Sequence, residues 1–187
     1  ENNTGGYNIF GVRFSQYAKL ELDYIKHWDW GNKNIFAIRT FGGIAIPYGN
    51  SESIPFSRSF FAGGTNDNRG WQAYDLGPGS TGGRNEFNEA NMKIHFSGEY
   101  RFNLFGQLNS ALFVDVGNIW NVLDNVDDED ARFTSLSDLS ELAVGSGFGL
   151  RYDVNFFVIR FDIGFKTYNP ALTEGDRWFK QYNFANA

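Results

Sequence analysis

Six stretches of this chain alternate apolar and polar residues at period two, each for ten residues or more. Period two is the mark of a strand with two unlike faces. From Asn91 to Phe102, Met92, Ile94, Phe96, Tyr100 and Phe102 face one way, and Asn91, Lys93, His95, Ser97, Glu99 and Arg101 face the other. From Tyr17 to Trp30 the even positions are mostly apolar, and the odd ones include Lys19, Glu21, Asp23, His27 and Asp29. Ala143 to Asp153 and Phe157 to Thr167 alternate in the same way, while Asn34 to Pro47 and Gln107 to Trp120 are less strict. Strands of soluble proteins average about 5–6 residues. A strand that crosses a bilayer needs about 9–11.

The connections point the same way. Short turns are predicted near Gly31–Lys33, Asn103–Phe105 and Val154–Asn155. Long loops run from Tyr48 to Glu89, Asn121 to Leu142 and Asn169 to Tyr182. Alternation of short and long connections is the habit of outer-membrane barrels. Trp28, Trp30, Tyr100, Phe102 and Tyr152 fall on apolar faces near short-turn ends; Tyr48 and Trp120 fall on the same face near long-loop ends. Two interfacial aromatic girdles are expected. A soluble antiparallel sandwich would also alternate, but it does not call for the strand lengths, the loop asymmetry and the girdles together.

Composition agrees. Aromatics are 18% and glycine 22 of 187 residues, with mean hydropathy −0.39. That suits a β protein. Acids outnumber bases 22 to 16, so no nucleic-acid footprint is present. No apolar run reaches the length of a transmembrane helix. The absence of cysteine is compatible with an oxidising compartment. Six strands cannot close a barrel, for which about eight is the practical minimum. The expected fold is therefore all-β: a transmembrane antiparallel barrel to which this chain gives about six full strands, as a fragment of a larger barrel or in assembly with other chains. Asn183–Ala187 reads as a seventh strand cut short.

The loop over residues 48–89 holds the segment FFAGGTNDNRGWQAYDLGPGS (Phe60 to Ser80), rich in turn formers yet carrying Arg69, Gly70 and Trp71 side by side. Strand parity places Glu99, and Phe113, Asp115 and Gly117, on inward faces. A loop folded back into the lumen brings Arg69 between the two carboxylates. A guanidinium fork matches carboxylate geometry. Inward Gly145, Gly147, Gly149 and Gly164 leave room for it.

Asn68–Trp71, NRGW, resembles the Arg-Gly-aromatic motif on the sixth extracellular loop of the BamA/TamA family of outer-membrane assembly proteins. Phe113–Gly117, FVDVG, is similar to that family's Phe-x-Asp-x-Gly strand motif. Gly98–Phe102, GEYRF, resembles its acidic strand after the loop, and GSGFGLRYDVNFFVIRFDIGF its penultimate hairpin. The wording is most similar to the TamA-like branch of Bacteroidetes type. Trp71 stands where the motif usually has Phe or Tyr. The resemblance implies a 16-stranded barrel in the bacterial outer membrane, of which residues 1–187 are the C-terminal portion, with the loop between the eleventh and twelfth strands and with the N-terminal strands and periplasmic modules absent. It implies a non-enzymatic factor that assists insertion or translocation of β-barrel proteins through a lateral seam, with no cofactor. Implied partners are the lipid bilayer, nascent β-barrel substrates, and accessory lipoproteins or complex subunits. The implied site is a lumen loop brace of Arg69, Gly70, Trp71, Glu99, Asp115 and Gly117.

Other chemistries are poorly supplied. His27 and His95 lie far apart, and no Ser/His/Asp set stands at a recognised spacing. Asp124–Arg132 lacks the glycine and ligand spacing of a calcium loop and reads as a solvated loop. Ser135–Ala143 reads as a short helix before the next strand, and Asn2–Thr4 fits a glycosylation triplet. A porin and a two-partner secretion transporter are the alternatives. A porin's in-folded loop is usually acidic, whereas this one offers an arginine.

Overall fold

A computed structural model describes residues 8–83, 88–123, 126–154 and 156–179. The strands in chain order are β1 (Asn8–Ile9), β2 (Val12–Arg13), β3 (Tyr17–Asp29), β4 (Ile35–Pro47), β5 (Met92–Phe105), β6 (Leu108–Trp120), β7 (Ala143–Asp153) and β8 (Val158–Tyr168). β1 and β2 form a small hairpin. β3 to β8 form one six-stranded sheet in sequential order, each neighbour antiparallel. No helix among the described residues is long and apolar enough to cross a membrane.

The two faces of the sheet are inverted relative to a soluble protein. Leu112 is 54% exposed and Phe96 41% exposed. On the opposite face His95, Glu99, Asp115 and Arg151 are buried. Charged residues are almost never buried unless paired, and a row of exposed large apolar side chains marks a surface meant for something other than water. At the short-turn end the outward aromatics stack. Trp28 and Trp30 each lie 5.8 Å from the Phe36 ring, Trp30 lies 5.9 Å from Tyr100, and Tyr100 lies 5.7 Å from Phe102. The Tyr100 hydroxyl donates to Asn34 Oδ1 at 3.1 Å. This is the amphipathic band that a membrane interface favours.

Two expectations change. The turn placed at Asn103–Phe105 lies just beyond it, at Gly106–Gln107. β5 runs on to Phe105 through a register shift, and Gly106 takes the turn with φ +56°. The Asn103 side-chain amide closes it by donating to Gly106 O and to Asn109 Oδ1. Trp120 is not in the outer girdle, because it is fully buried. Its Nε1 donates to Glu141 Oε2 at 2.9 Å, and its ring meets Phe133 edge-on at 5.6 Å. The 121–142 loop covers Trp120 on one face of this end of β6, while Leu76 and its neighbours in the 48–91 loop cover Ile119 on the other. The 121–142 loop contains the expected short helix as a 3-10 segment, Leu136–Glu141.

The buried apolar cluster sits under the 48–91 loop rather than between two sheets. Phe60, Ala62, Trp71, Leu76 and Ala90 of the loop pack on Ala45, Ile119 and Ala143 of the wall. Phe60 and Ala90 exchange both backbone hydrogen bonds, at 2.8 and 2.9 Å. Gly43 makes this possible, since a Cβ there would fall 2.5 Å from the Phe60 ring. Beyond β8 the chain turns back, and Trp178 bridges Tyr168 antiparallel. The expected strand at Asn183–Ala187, the triplet at Asn2–Thr4 and residues 124–125 of the acidic loop lie outside the described residues.

Candidate functional site

Arg69 reaches the loop-bearing face of the sheet because a turn aims it there. Asp67 Oδ2 accepts from the Gly63 backbone N–H at 2.8 Å, and the Trp71 N–H closes on Asn68 O at 3.1 Å. Asn68 is fully buried, and its Nδ2 donates to Ala143 O at 3.3 Å. The loop backbone then runs directly over two wall glycines. A Cβ at Gly164 would overlap the Arg69 carbonyl oxygen, and one at Gly145 would overlap Asn68 Oδ1. Gly70 also lies close to the wall: a Cβ there would stand 3.1 Å from Phe165 O, a tight contact.

The guanidinium lands on carboxylates from two adjacent strands. Nε donates to Asp115 Oδ2 and one terminal nitrogen to Asp115 Oδ1, both at 2.8 Å, which makes a two-pronged fork. The other terminal nitrogen donates to Glu99 Oε2 at 2.5 Å. Even the Arg69 backbone N–H donates to Asp115 Oδ2, at 3.1 Å. The guanidinium carbon, Cζ, lies 3.5 Å over the centroid of the Phe113 ring. The side chains of Arg69 and Asp115 are 7% and 0% exposed. A planar, delocalised cation with five donors is what this pocket accommodates, and lysine cannot substitute for the fork.

Of the expected site residues, Arg69, Glu99 and Asp115 come together. Trp71 lies elsewhere in the loop, buried in the apolar cluster with Lys166 Nζ 5.4 Å from its ring centroid. Gly117 touches none of them. It stands opposite His95 in the ladder, and a Cβ there would come 3.2 Å from the His95 ring. Gly147 lies under the Phe113 ring and Gly149 under the Arg151–Asp162 pair, so these two make room for wall side chains rather than for the loop.

The site also holds residues that parity put on the correct face without naming them as members. Ser97 Oγ donates to Asp115 Oδ1 at 2.7 Å. Glu99 Oε1 accepts from Arg101 Nε at 2.6 Å and from an Arg151 terminal nitrogen at 3.0 Å. Asp67 forms a second tie, with Lys93 Nζ at 2.9 Å, and the buried His95 Nε2 stands 3.3 Å from its other oxygen without hydrogen-bond alignment. The arrangement ties the loop to the wall through hydrogen bonds and ion pairs. Among the described residues no cluster of His, Cys, Asp or Glu is arranged to hold a metal.

The profile of the Omp85 superfamily domain matches residues 4–184. The chain is 29% identical over 92 residues to outer membrane protein assembly factor BamA of Neisseria meningitidis serogroup B (strain ATCC BAA-335 / MC58), a match covering 42% of this chain and 11% of that protein. The crystal structure of BamA from Haemophilus ducreyi lacking POTRA domains 1-3 superposes with TM-score 0.64 at 16% identity, over 80% of this chain and 31% of that one. This chain thus spans a small part of either relative.

Proposed function

The chain belongs to the Omp85 superfamily, a family of bacterial outer-membrane barrels, and from that premise we propose that it is the C-terminal, loop-carrying part of a 16-stranded barrel that assists the insertion or translocation of β-barrel proteins. The work is non-covalent. Substrate strands add to an exposed strand edge at a lateral seam, where main-chain hydrogen bonds that lipid cannot satisfy supply the drive. The bilayer, nascent barrel proteins and accessory lipoproteins are the partners.

The observation that carries this reading is the Arg69 fork on Asp115 with the second contact to Glu99. It ties a 44-residue excursion between β4 and β5 (residues 48–91) to the wall at a buried point. The apolar plug around Trp71 holds the same loop a few residues away. Gly70 and Trp71 act by backbone approach and packing, and Gly117 acts through His95. In this reading the loop braces the wall while the seam opens. An open porin keeps an aqueous path, and here the loop occupies the face that would line it.

The test is complementation. Cells that depend on this protein for assembly are supplied with Arg69→Ala at matched expression, and the fraction of folded outer-membrane barrels is read by heat-modifiable mobility. Loss of folded barrels is expected. Normal barrel levels from a variant whose loop is released would sink the brace. A large single-channel conductance from the wild-type protein would favour a porin instead.

A further inference from the structure

Arg151 meets the brace through Glu99, and on its other side it sits in an arrangement that is unfavourable on its face. Arg151 of β7 stands directly opposite Arg160 of β8 in the ladder. Like charges at paired cross-strand positions repel. Arg151 is also buried, at 7% exposure.

A carboxylate separates the two arginines. Asp162 Oδ2 accepts from Arg160 at 2.8 Å, and Asp162 Oδ1 lies 3.2 Å from the other Arg151 terminal nitrogen. Asp162 pairs with Gly149, and a Cβ at Gly149 would overlap both Asp162 Oδ1 and the Arg151 guanidinium. The glycine therefore clears the space in which the pair meets above β7. On its other side Arg151 donates to Glu99 Oε1 at 3.0 Å, and Glu99 Oε2 is held by Arg69. Charge thus runs unbroken from the loop through β5 and β7 to β8.

One link differs from the rest. The Arg151 nitrogen and Asp162 Oδ1 face each other within ion-pair distance, yet neither has a hydrogen-bond partner. The attraction is there without the fork that locks Arg69 to Asp115. Such a link can break and re-form as β8 shifts against β7. The tip of the loop also rests on β8, at Gly164 and Phe165.

We propose that Arg151 is a positioning residue that couples the loop arginine to β8, so that the loop registers displacement of that strand. The proposal rests on the brace reading for its biological use, but the coupling is measurable apart from it. Asp162 and Arg69 share no contact given by the geometry above. If Arg151 joins them, removing Asp162 loosens the loop only while Arg151 is present.

The experiment is amide hydrogen exchange over residues 63–72 of the membrane-embedded protein. Four forms are compared: wild type, Asp162→Asn, Arg151→Leu and the double variant. Asp162→Asn is expected to speed exchange of the loop about five-fold in the wild-type background, the lower range of inter-site coupling. In the Arg151→Leu background the same change is expected to do nothing. Equal effects in both backgrounds, or no effect in either, would overturn the coupling. Should Arg151→Leu fail to fold, Arg151→Lys keeps the charge without the fork, and a reduced Asp162 effect there is required. Assembly activity of Asp162→Asn is read separately. Coupling with unimpaired assembly would retire the brace's function and leave the relay standing.

Discussion

Asp115 accepts three hydrogen bonds from Arg69, one from the backbone amide and two from the guanidinium, although the residues are 46 positions apart. A side-chain carboxylate that fixes both the main chain and the head group of one residue determines position and orientation together. Removing either partner leaves a buried charge without its counter-ion, and that loss commonly costs about 3–5 kcal/mol.

The two acids should therefore be unequal. Asp115→Asn leaves only one acceptor oxygen against four donors, three on Arg69 and the Ser97 hydroxyl, whereas Glu99 is shared with Arg101 and Arg151 and makes one hydrogen bond to Arg69. Asp115→Asn is expected to lower stability to urea in lipid by about 3 kcal/mol and Glu99→Gln by less. Equal losses would mean that the loop is held by packing and not by the fork.

Glycine substitutions separate the loop-bearing face from the outer face. Gly164→Ala drives a methyl into the Arg69 carbonyl, so the loop must lift. Gly42 has nothing within 4 Å of a Cβ and lies among outward residues. Gly42→Ala is expected to be neutral or slightly stabilising, because alanine loses less freedom on ordering. Limited proteolysis of the 48–91 loop in folded protein reads the difference: faster cleavage for Gly164→Ala, wild-type cleavage for Gly42→Ala.

What period two can reveal is the face of a residue, and it did so for Phe96, Leu112, Glu99 and Asp115. Parity could not foresee Trp120. The outward side of β6 is exposed near mid-strand, but at the strand end the 121–142 loop buries this face while the 48–91 loop buries the other. Nor could it tell which inward glycine serves the loop. Gly145 and Gly164 do, while Gly117, Gly147 and Gly149 serve His95, Phe113 and the Arg151–Asp162 pair. That distinction depends on register between strands, which local alternation does not contain. Arg151 was legible as inward but not as a partner of Glu99, because their contact skips over β6.

Asp138 gives a pH-dependent prediction outside the membrane-spanning strands. The backbone N–H groups of Thr134 and Ser135 donate to its Oδ2 at 2.6 and 2.9 Å, and they hold its carboxyl below the ordinary value. A carboxylate with a lowered folded pKa contributes in full above its unfolded value and loses that contribution as pH falls through the folded one. Protection of the Thr134 and Ser135 amides should thus be constant near neutrality and fall in acid below about pH 4. In Asp138→Asn it should be weak and flat with pH. A wild-type profile that stays flat into acid would contradict the cap.

Tryptophan quenching by lipids brominated on the acyl chains tests the orientation of the whole sheet. Trp28 and Trp30 belong to the outward aromatic band, exposed at 38% and 64%. Trp71 and Trp120 are buried beneath loops. In variants that retain one of these four tryptophans, quenching is expected for Trp28 and Trp30, with bromine near the headgroup region more effective than bromine at the chain end. Trp71 and Trp120 should be unaffected by either lipid. Quenching of Trp120 to the level of Trp28 would restore it to a second girdle and displace the 121–142 loop from its place over β6. A Trp28 insensitive to brominated lipid would mean that the apolar face does not meet the bilayer, and the inside-out reading of the sheet would fall with it.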